Sequence, residues 1–209
     1  MKRFASTFRL LLLVFFSISF LNVQAQQQRY IQQLGPNYYV AGPPSNEINF
    51  IAAKQRCPNW CWAACAQMVL NYHGLYVTQE QIVQKIYGGL PCKPGNAQQI
   101  MAALSGWAPD TRGRYSQIYS QYGVYSGADI VDKLSRKWPI IVGLQNPNGG
   151  GHAYVLTAIY YSVDQMNNPI IDQVVLRNPW PTSPSKEFMK WNVFLSRKPQ
   201  FFKVWVNRL

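Results

Sequence analysis

The sequence predicts an α+β fold, with helices in its first half and antiparallel strands in its second. Helix-capping patterns and apolar residues at helical spacing lie before residue 135, whereas runs of β-branched and aromatic residues between Gly, Asn and Pro turns follow. Helices grouped before strands favour segregated layers over alternating βαβ units. We therefore expect an N-terminal helical lobe joined to a C-terminal antiparallel sheet lobe.

Residues 1–25 have the features of a cleaved signal peptide. Lys2 and Arg3 make a basic start, an apolar run spans 10–20, and small residues at 23–25 offer a cleavage site after Ala25. The run is too short to span a bilayer comfortably, and no later segment is long and apolar enough. The sequence thus predicts a secreted or periplasmic protein without stable membrane insertion.

The charge excludes no class of partner by itself. The signal segment carries three basic residues and no acid, so its removal lowers the formal net charge from +12 to +9. The remaining basic residues are scattered and form no nucleic-acid-binding motif. We expect a basic monomer that binds no nucleic acid.

Residues 26–49 are rich in Gln, Pro and Asn and lack helical periodicity. They are predicted to form a flexible N-terminal arm or short propeptide, followed by one domain over 50–209.

Two helices are predicted early in that domain. The first covers 62–72 and stops at Gly74. The second begins at a capping box of Thr78 and Gln81 and ends at Gly88. The further predicted elements are a helix capped by Asn96 and ended by Gly106, a loop or strand in 112–125, a helix begun by Ser126, strands at 140–144, 152–161, 170–177 and 201–206, and a helix within 185–195.

Cys61 falls at or near the N-terminus of the first of these helices. Unpaired backbone N–H groups and the positive end of the helix dipole favour an anion at that position. For a cysteine that anion is the thiolate, the reactive form of the side chain.

The segment Asn59-Trp60-Cys61-Trp62-Ala63-Ala64, with Gln55 six residues before the cysteine, resembles the papain-like cysteine peptidases. It is most similar to the compact bacterial type, including effector-type and leader-peptide-processing families. The resemblance implies a papain-like fold, Cys61 as the nucleophile, and an oxyanion hole made by the Gln55 amide and the Cys61 backbone N–H. It also implies a protein or peptide substrate and no cofactor, with Trp62 in a supporting position.

The resemblance requires a histidine base. His73 lies at the far end of the predicted helix, about 18 Å from Cys61 at about 1.5 Å per residue, and cannot reach it. His152 follows three glycines at the head of a strand, as the papain-like base does. Asn178 after the next strand matches the residue that orients the imidazole, and Trp180 matches the one that shields it. The predicted mechanism is attack by a Cys61–His152 thiolate–imidazolium pair.

Four cysteines in an exported chain suggest disulfide chemistry. With Cys61 as nucleophile, at most one bridge forms within the chain. The resemblance favours Cys57–Cys92, with Cys65 buried in the helix, while Cys65–Cys92 stays open. A four-thiolate zinc site fits the count but not the export signal or the peptidase residues, so no metal is predicted.

Two other functions remain open on the sequence. An acyltransferase or transglutaminase-like enzyme would form the same acyl-enzyme and pass it to an amine. A non-catalytic secreted binding module would keep the fold without the chemistry.

Overall fold

The computed structural model describes residues 29–105 and 116–208, so the predicted signal segment and Gly106 lie outside the described residues. The strands are β1 (Ile31–Gly35), β2 (Tyr38–Ala41), β3 (Ser116–Gly123), β4 (Ile140–Gln145), β5 (Gly151–Val163), β6 (Pro169–Arg177), β7 (Lys186–Lys190) and β8 (Gln200–Arg208). The helices are α1 (Ser45–Ile51), α2 (Cys61–Tyr72), α3 (Gln79–Tyr87), α4 (Ala97–Ala103), α5 (Gly127–Ser135) and α6 (Trp191–Ser196). In these two ranges no helix combines the length and the apolar character needed to traverse a bilayer.

Strand β5 is the centre of one antiparallel sheet. The strand order is β1-β2-β5-β4-β8-β3. Strand β6 pairs with β5 along the edge that β2 and β4 leave open, and β7 pairs with β6. Leu156 of β5 lies opposite Ile140 of β4 and Leu176 of β6, so these two strands flank it on opposite edges. At 13 residues β5 is long enough to pair with β4 near its start and with β2 further on.

Each face of the sheet carries its own hydrophobic core. Helices α1–α4 pack on one face, which includes Ile141 and Val155, and helices α5 and α6 pack on the other, which includes Val142 and Leu156. Neighbouring residues enter different cores because side chains alternate along a strand. The predicted α+β fold, with a helical part before an antiparallel sheet, is confirmed.

Helix capping in the structure follows the predicted pattern. Thr78, Asn96 and Ser126 each accept a hydrogen bond from the backbone N–H three residues later, and each forms a reciprocal capping box. Gly88 ends α3 with a φ of 69°, a conformation that glycine adopts without strain. These local bonds explain why the helix starts could be predicted.

The helix predicted within 185–195 is wrong over its first half. Lys186–Lys190 is strand β7, which pairs with the edge of β6, and α6 begins only at Trp191. Phe188 lies on this strand and is 54% exposed. The free backbone groups of β6 offer a pairing partner that outweighs the helical spacing of the apolar residues.

The flexible arm predicted over 26–49 is also wrong for its described part. Strands β1 and β2 form a hairpin, and β2 pairs with β5 through Tyr39, Val40 and Ala41. Ala41 is fully buried. Val40 lies opposite Tyr160, eight residues along β5 from His152 and so about 26 Å away. The hairpin is therefore part of the sheet and lies far from His152, the predicted base.

Candidate active site

Cys61 is the first residue of helix α2. The preceding residue, Trp60, makes no side-chain cap, so the first N–H groups of the helix are left free of a capping side chain. The backbone N–H groups of Ala153 and Trp62 contact the half-buried Cys61 sulfur. Helix α2 thus presents the thiol to the start of β5.

His152 is the second residue of β5, and it lines the same two cavities as Cys61. The Trp62 cavity, of about 400 Å³, also includes Trp62 and Gly95. The Trp180 cavity, of about 340 Å³, also includes Asn178 and Trp180. Together they form a cleft with the thiol and the imidazole on its walls.

Asn178 lies just after β6 and holds the His152 ring. Its Oδ1 is 2.9 Å from His152 Nε2 and accepts the backbone N–H of Trp180 at 2.9 Å. Its Nδ2 donates to Glu187 Oε1 at 2.6 Å. A carboxylate only accepts hydrogen bonds, so Glu187 must face the NH2 group of the Asn178 amide, and Asn178 Oδ1 is thereby turned toward His152. Nε2 must then donate, which leaves Nδ1 as the basic nitrogen.

Trp180 packs beside the His152 ring, near its hydrogen bond to Asn178. The two rings of His152 and Trp180 are 6.0 Å apart at 77°, an edge-to-face arrangement. Trp180 remains 40% exposed, so it forms part of the cleft wall.

The Glu187 contact was not predicted, and neither was the role of Lys54. Lys54 Nζ donates to the backbone oxygens of Asn178, Trp180 and Ser183 at 3.2, 2.9 and 2.7 Å. The lysine therefore ties the segment before Cys61 to the loop after β6. Its position directly before Gln55 was the only sequence signal for it.

Gln55 is buried, but its amide does not line either cavity that contains Cys61. Its Nε2 donates to the backbone oxygens of Cys57 and Pro58 at 3.1 and 2.8 Å. Its Oε1 is buried without a partner among the described residues. In this structure both amide hydrogens hold the loop before α2, which differs from the oxyanion-hole orientation predicted for Gln55.

Burial acts on both members of the Cys61–His152 pair. It raises the pKa of the Cys61 thiol, although contacts with the N–H groups of Ala153 and Trp62 lower it. Burial is also the largest effect on the pKa of His152, and it lowers that pKa. The Arg197 charge lowers the pKa further, whereas the Asn178 hydrogen bond and the Glu187 charge raise it, and the net direction is downward. Both net directions favour a neutral thiol and imidazole over the predicted ion pair.

A disulfide joins the loop before α2 to the loop before α4. It links Cys57 to Cys92, whose Cα atoms are 5.9 Å apart. Asn59 Nδ2 donates to the Cys92 oxygen at 3.0 Å, and Trp62 Nε1 donates to the Lys93 oxygen at 3.1 Å. The bridge and these bonds fix one wall of the cleft.

The remaining cysteine and histidine lie away from this chemistry. Cys65 is fully buried in α2, where burial raises the pKa of its thiol well above the ordinary value. His73 caps the far end of α2. The described residues contain no group of three or more His, Cys, Asp or Glu side chains placed to hold a metal ion.

A protein-family model matches this chain over most of its length. The model of the Peptidase_C39 like family matches residues 23–208. No curated protein matches significantly.

Two solved structures are similar to this chain at low sequence identity. The peptidase domain of Streptococcus ComA, a bi-functional ABC transporter involved in a quorum sensing pathway, is 13% identical with a TM-score of 0.50, over 76% of this chain and 98% of that one. A double glycine motif protease from an AMS/PCAT transporter, in complex with the leader peptide, is 16% identical with a TM-score of 0.47, over 76% and 91%. From its family match and its architecture, the chain belongs to the Peptidase_C39 like family and has the fold of the papain-like cysteine peptidases.

Proposed function

We propose that this chain is an exported cysteine peptidase that hydrolyses peptide bonds with Cys61, His152 and Asn178. The observation that carries the proposal is the arrangement of His152. Its Nε2 faces Asn178 at 2.9 Å, while the ring lines two cavities together with Cys61. A nucleophile, a base and an orienting residue thus converge on one cleft.

The proposed reaction starts from the neutral pair. His152 Nδ1 takes the thiol proton as the Cys61 sulfur attacks the substrate carbonyl, and the imidazolium then gives that proton to the leaving amine. The C–N bond breaks and a thioester remains on Cys61. His152 next takes a proton from water, the hydroxide attacks the thioester, and the thiol and the free carboxylate are released. Asn178 keeps the imidazole in the tautomer that this sequence needs.

The charge on the carbonyl oxygen needs donors. The backbone N–H of Cys61 is at the helix N-terminus, where it lacks an intrahelical acceptor. We assign the second donor to Gln55, whose amide would exchange its bond to Cys57 or Pro58 for one to the oxyanion when substrate binds.

The shape of the cleft suits an extended peptide. The Trp62 and Trp180 cavities share Cys61 and His152 and differ in most of their other lining residues, so two stretches of a bound peptide would each have a pocket. Gly143 also lines the Trp62 cavity, and its lack of a side chain leaves room for a close approach of the peptide backbone.

Export, the remaining part of the proposal, is supported by the disulfide. Bridges such as Cys57–Cys92 persist in oxidising compartments. The apolar segment at 10–20 would direct the chain there, with cleavage after Ala25.

The test combines labelling with turnover. The chain from Gln26 onward is treated with an epoxide inhibitor of cysteine peptidases, and the adduct is located by mass spectrometry. Separate samples receive a peptide library with a labelled amine. We expect one adduct, on Cys61, and peptide cleavage that Cys61→Ala abolishes and His152→Ala lowers by at least about 10²-fold.

Cys65→Ala and His73→Ala are the matched controls, since they replace the same residue types as the site variants but at positions outside the proposed site. Amine incorporation in place of cleavage would show an acyltransferase. Peptide binding without an adduct or turnover would show a binding module and refute the peptidase.

A further inference from the structure

A second cavity lies away from the cleft and shares no residue with it. This rear cavity, of about 370 Å³, is bounded by the β1–β2 hairpin, the start of α1, and strands β5 and β6. Its lining includes three basic residues, Arg29, Arg177 and Lys186, beside Gly42, Thr157 and Tyr160, and it includes no carboxylate.

Arg177 is buried in this wall, and it forms no ion pair with any of residues 29–105 and 116–208. Its exposed fraction is 3%, and its Nε is buried with no hydrogen-bond partner among the described residues. A guanidinium stays protonated in proteins, so Arg177 cannot lower the free-energy cost of its burial by losing its proton. A buried charge without a partner is strongly destabilising. The arrangement is therefore incomplete without an anion.

Lys186 adds a second uncompensated charge. It lies directly opposite Arg177 in the β6–β7 pair, where like charges repel. Its Nζ lies 4.9 Å from the centre of the Phe188 ring, and within the described ranges it forms no ion pair. Arg29 differs, because its guanidinium is paired with Asp132 at 2.5 Å. The cavity therefore carries two net positive charges.

We propose that the rear cavity binds a dianionic tetrahedral oxyanion, which is free phosphate, free sulfate or a phosphate monoester. The Arg177 guanidinium would donate paired hydrogen bonds to two of its oxygens, and Lys186 would contact a third as a point charge. A dianion neutralises both cations, whereas a single carboxylate would leave one of them uncompensated. The cavity volume accommodates the oxyanion with water or a small ester group.

The position of Arg177 gives the site a link to the cleft. Arg177 directly precedes Asn178, and neighbouring strand residues face opposite sides of a sheet. Val175 lines the rear cavity beside Arg177, whereas Leu176 belongs to the core under α5 and α6. An anion on Arg177 would therefore order the end of β6 from the side opposite to His152.

The test measures thermal unfolding of the chain from Gln26 at fixed pH. Inorganic phosphate, inorganic sulfate and glycerol phosphate are each compared with chloride at matched ionic strength. Phosphate is expected to raise the unfolding midpoint in a saturable way, and Arg177→Met to remove the rise. Lys186→Met is expected to weaken phosphate binding at least tenfold by calorimetry. A tighter Kd for glycerol phosphate than for phosphate would identify an ester as the ligand.

Lys190→Met is the matched control, because this cation on the same strand already has Asp172 as a partner at 2.8 Å. It should leave the phosphate response unchanged. In phosphate-free chloride buffer Arg177→Met should unfold at or above the wild-type midpoint, since it removes an unpaired buried charge. The absence of a phosphate-specific rise in the wild type, or an equal rise in both rear-cavity variants, would overturn the proposal.

Discussion

At the scale of single residues, two charges act on His152 in opposite directions. Glu187 accepts from the Asn178 amide, and its charge raises the histidine pKa, whereas the Arg197 charge lowers it. Because the neutral imidazole is the proposed base, activity should rise as the pH increases through this pKa. The histidine pKa therefore sets the acid limb of the pH profile of kcat/KM.

We predict that Glu187→Gln moves the acid limb to lower pH and Arg197→Gln moves it to higher pH. The glutamine at 187 retains an oxygen that accepts from Asn178, so the first change removes charge with little loss of geometry. The measurement is kcat/KM against pH for both variants. Glu187→Ala serves as the comparison, since it should also lower kcat by releasing Asn178. A purely structural role for Glu187 would lower kcat without moving the limb.

Gln55 gives the second prediction at this scale. If its amide joins the oxyanion hole during the reaction, Gln55→Ala should lower kcat by about 10²–10³-fold. Gln79→Ala is the matched control, because the buried Gln79 amide also holds this loop, by donating to the Lys54 oxygen and accepting from the Arg56 N–H. Equal losses of kcat in both variants would indicate that Gln55 only supports the loop.

Residue types and spacing gave Cys61, His152 and Asn178 as candidates from the sequence, because each belongs to a short motif. Lys54 and Glu187 were missed for a physical reason. Glu187 meets Asn178 only because β7 pairs with β6 in one register, which places Glu187 opposite Leu176. No local pattern encodes that register. The same register places Lys186 against Arg177.

At the scale of elements, the loop before α4 fits tightly against α2. A Cβ on Gly95 would lie 2.6 Å from the Trp62 ring, which is itself 1% exposed. We predict that Gly95→Ala displaces this ring, costs about 1–3 kcal/mol of unfolding free energy and lowers kcat/KM. Urea denaturation and peptide turnover would measure the two effects.

Gly89→Ala is the control for that substitution, because a Cβ there meets no atom within 4 Å. It should leave both turnover and unfolding free energy near the wild-type values. An unchanged Gly95→Ala protein would mean that the Trp62 wall is soft and does not shape the cleft.

The disulfide joins the same two elements and gives the fourth prediction. It spans 35 residues, so the loss of loop-closure entropy it imposes on the unfolded chain corresponds to about 3–4 kcal/mol. We expect the double variant Cys57→Ser/Cys92→Ser to lose about this much unfolding free energy in urea. Reductant should lower the stability of wild type and Cys65→Ala, and leave the double variant unaffected. Equal stability of wild type with and without reductant would contradict the prediction.

Predictability at this scale followed the range of the interactions. The helix starts at Thr78, Asn96 and Ser126 depend on hydrogen bonds between each cap residue and the residue three positions later, and such pairs are visible in the sequence. Strands β2 and β7 depend on partners far along the chain. Asn37, with a φ of 54°, forms the turn of the β1–β2 hairpin, and the Gly35-Pro36-Asn37 sequence was the one available signal for it.

At the scale of the whole molecule, two cavities with no residue in common carry the two proposed chemistries. The cleft lies where α2 meets the start of β5, and the rear cavity lies between the hairpin, α1 and the strands β5 and β6. Both depend on the sheet being complete from β2 to β7. The limits of the folded domain therefore decide whether either site forms.

The last prediction concerns those limits. Strand β2 pairs with β5, the Tyr39 and Tyr161 rings stack at 5.6 Å, and the Tyr38 hydroxyl donates to Asp172 at 2.7 Å. A chain starting at Pro44 would lose these contacts and leave part of an edge of β5 unpaired, so we expect it to aggregate or to unfold at markedly lower urea than a chain starting at Gln26. Solubility, urea denaturation and peptide turnover of the two chains form the comparison. A soluble, fully active chain from Pro44 would show that the hairpin is dispensable, whereas higher turnover would show that it inhibits, as a propeptide does.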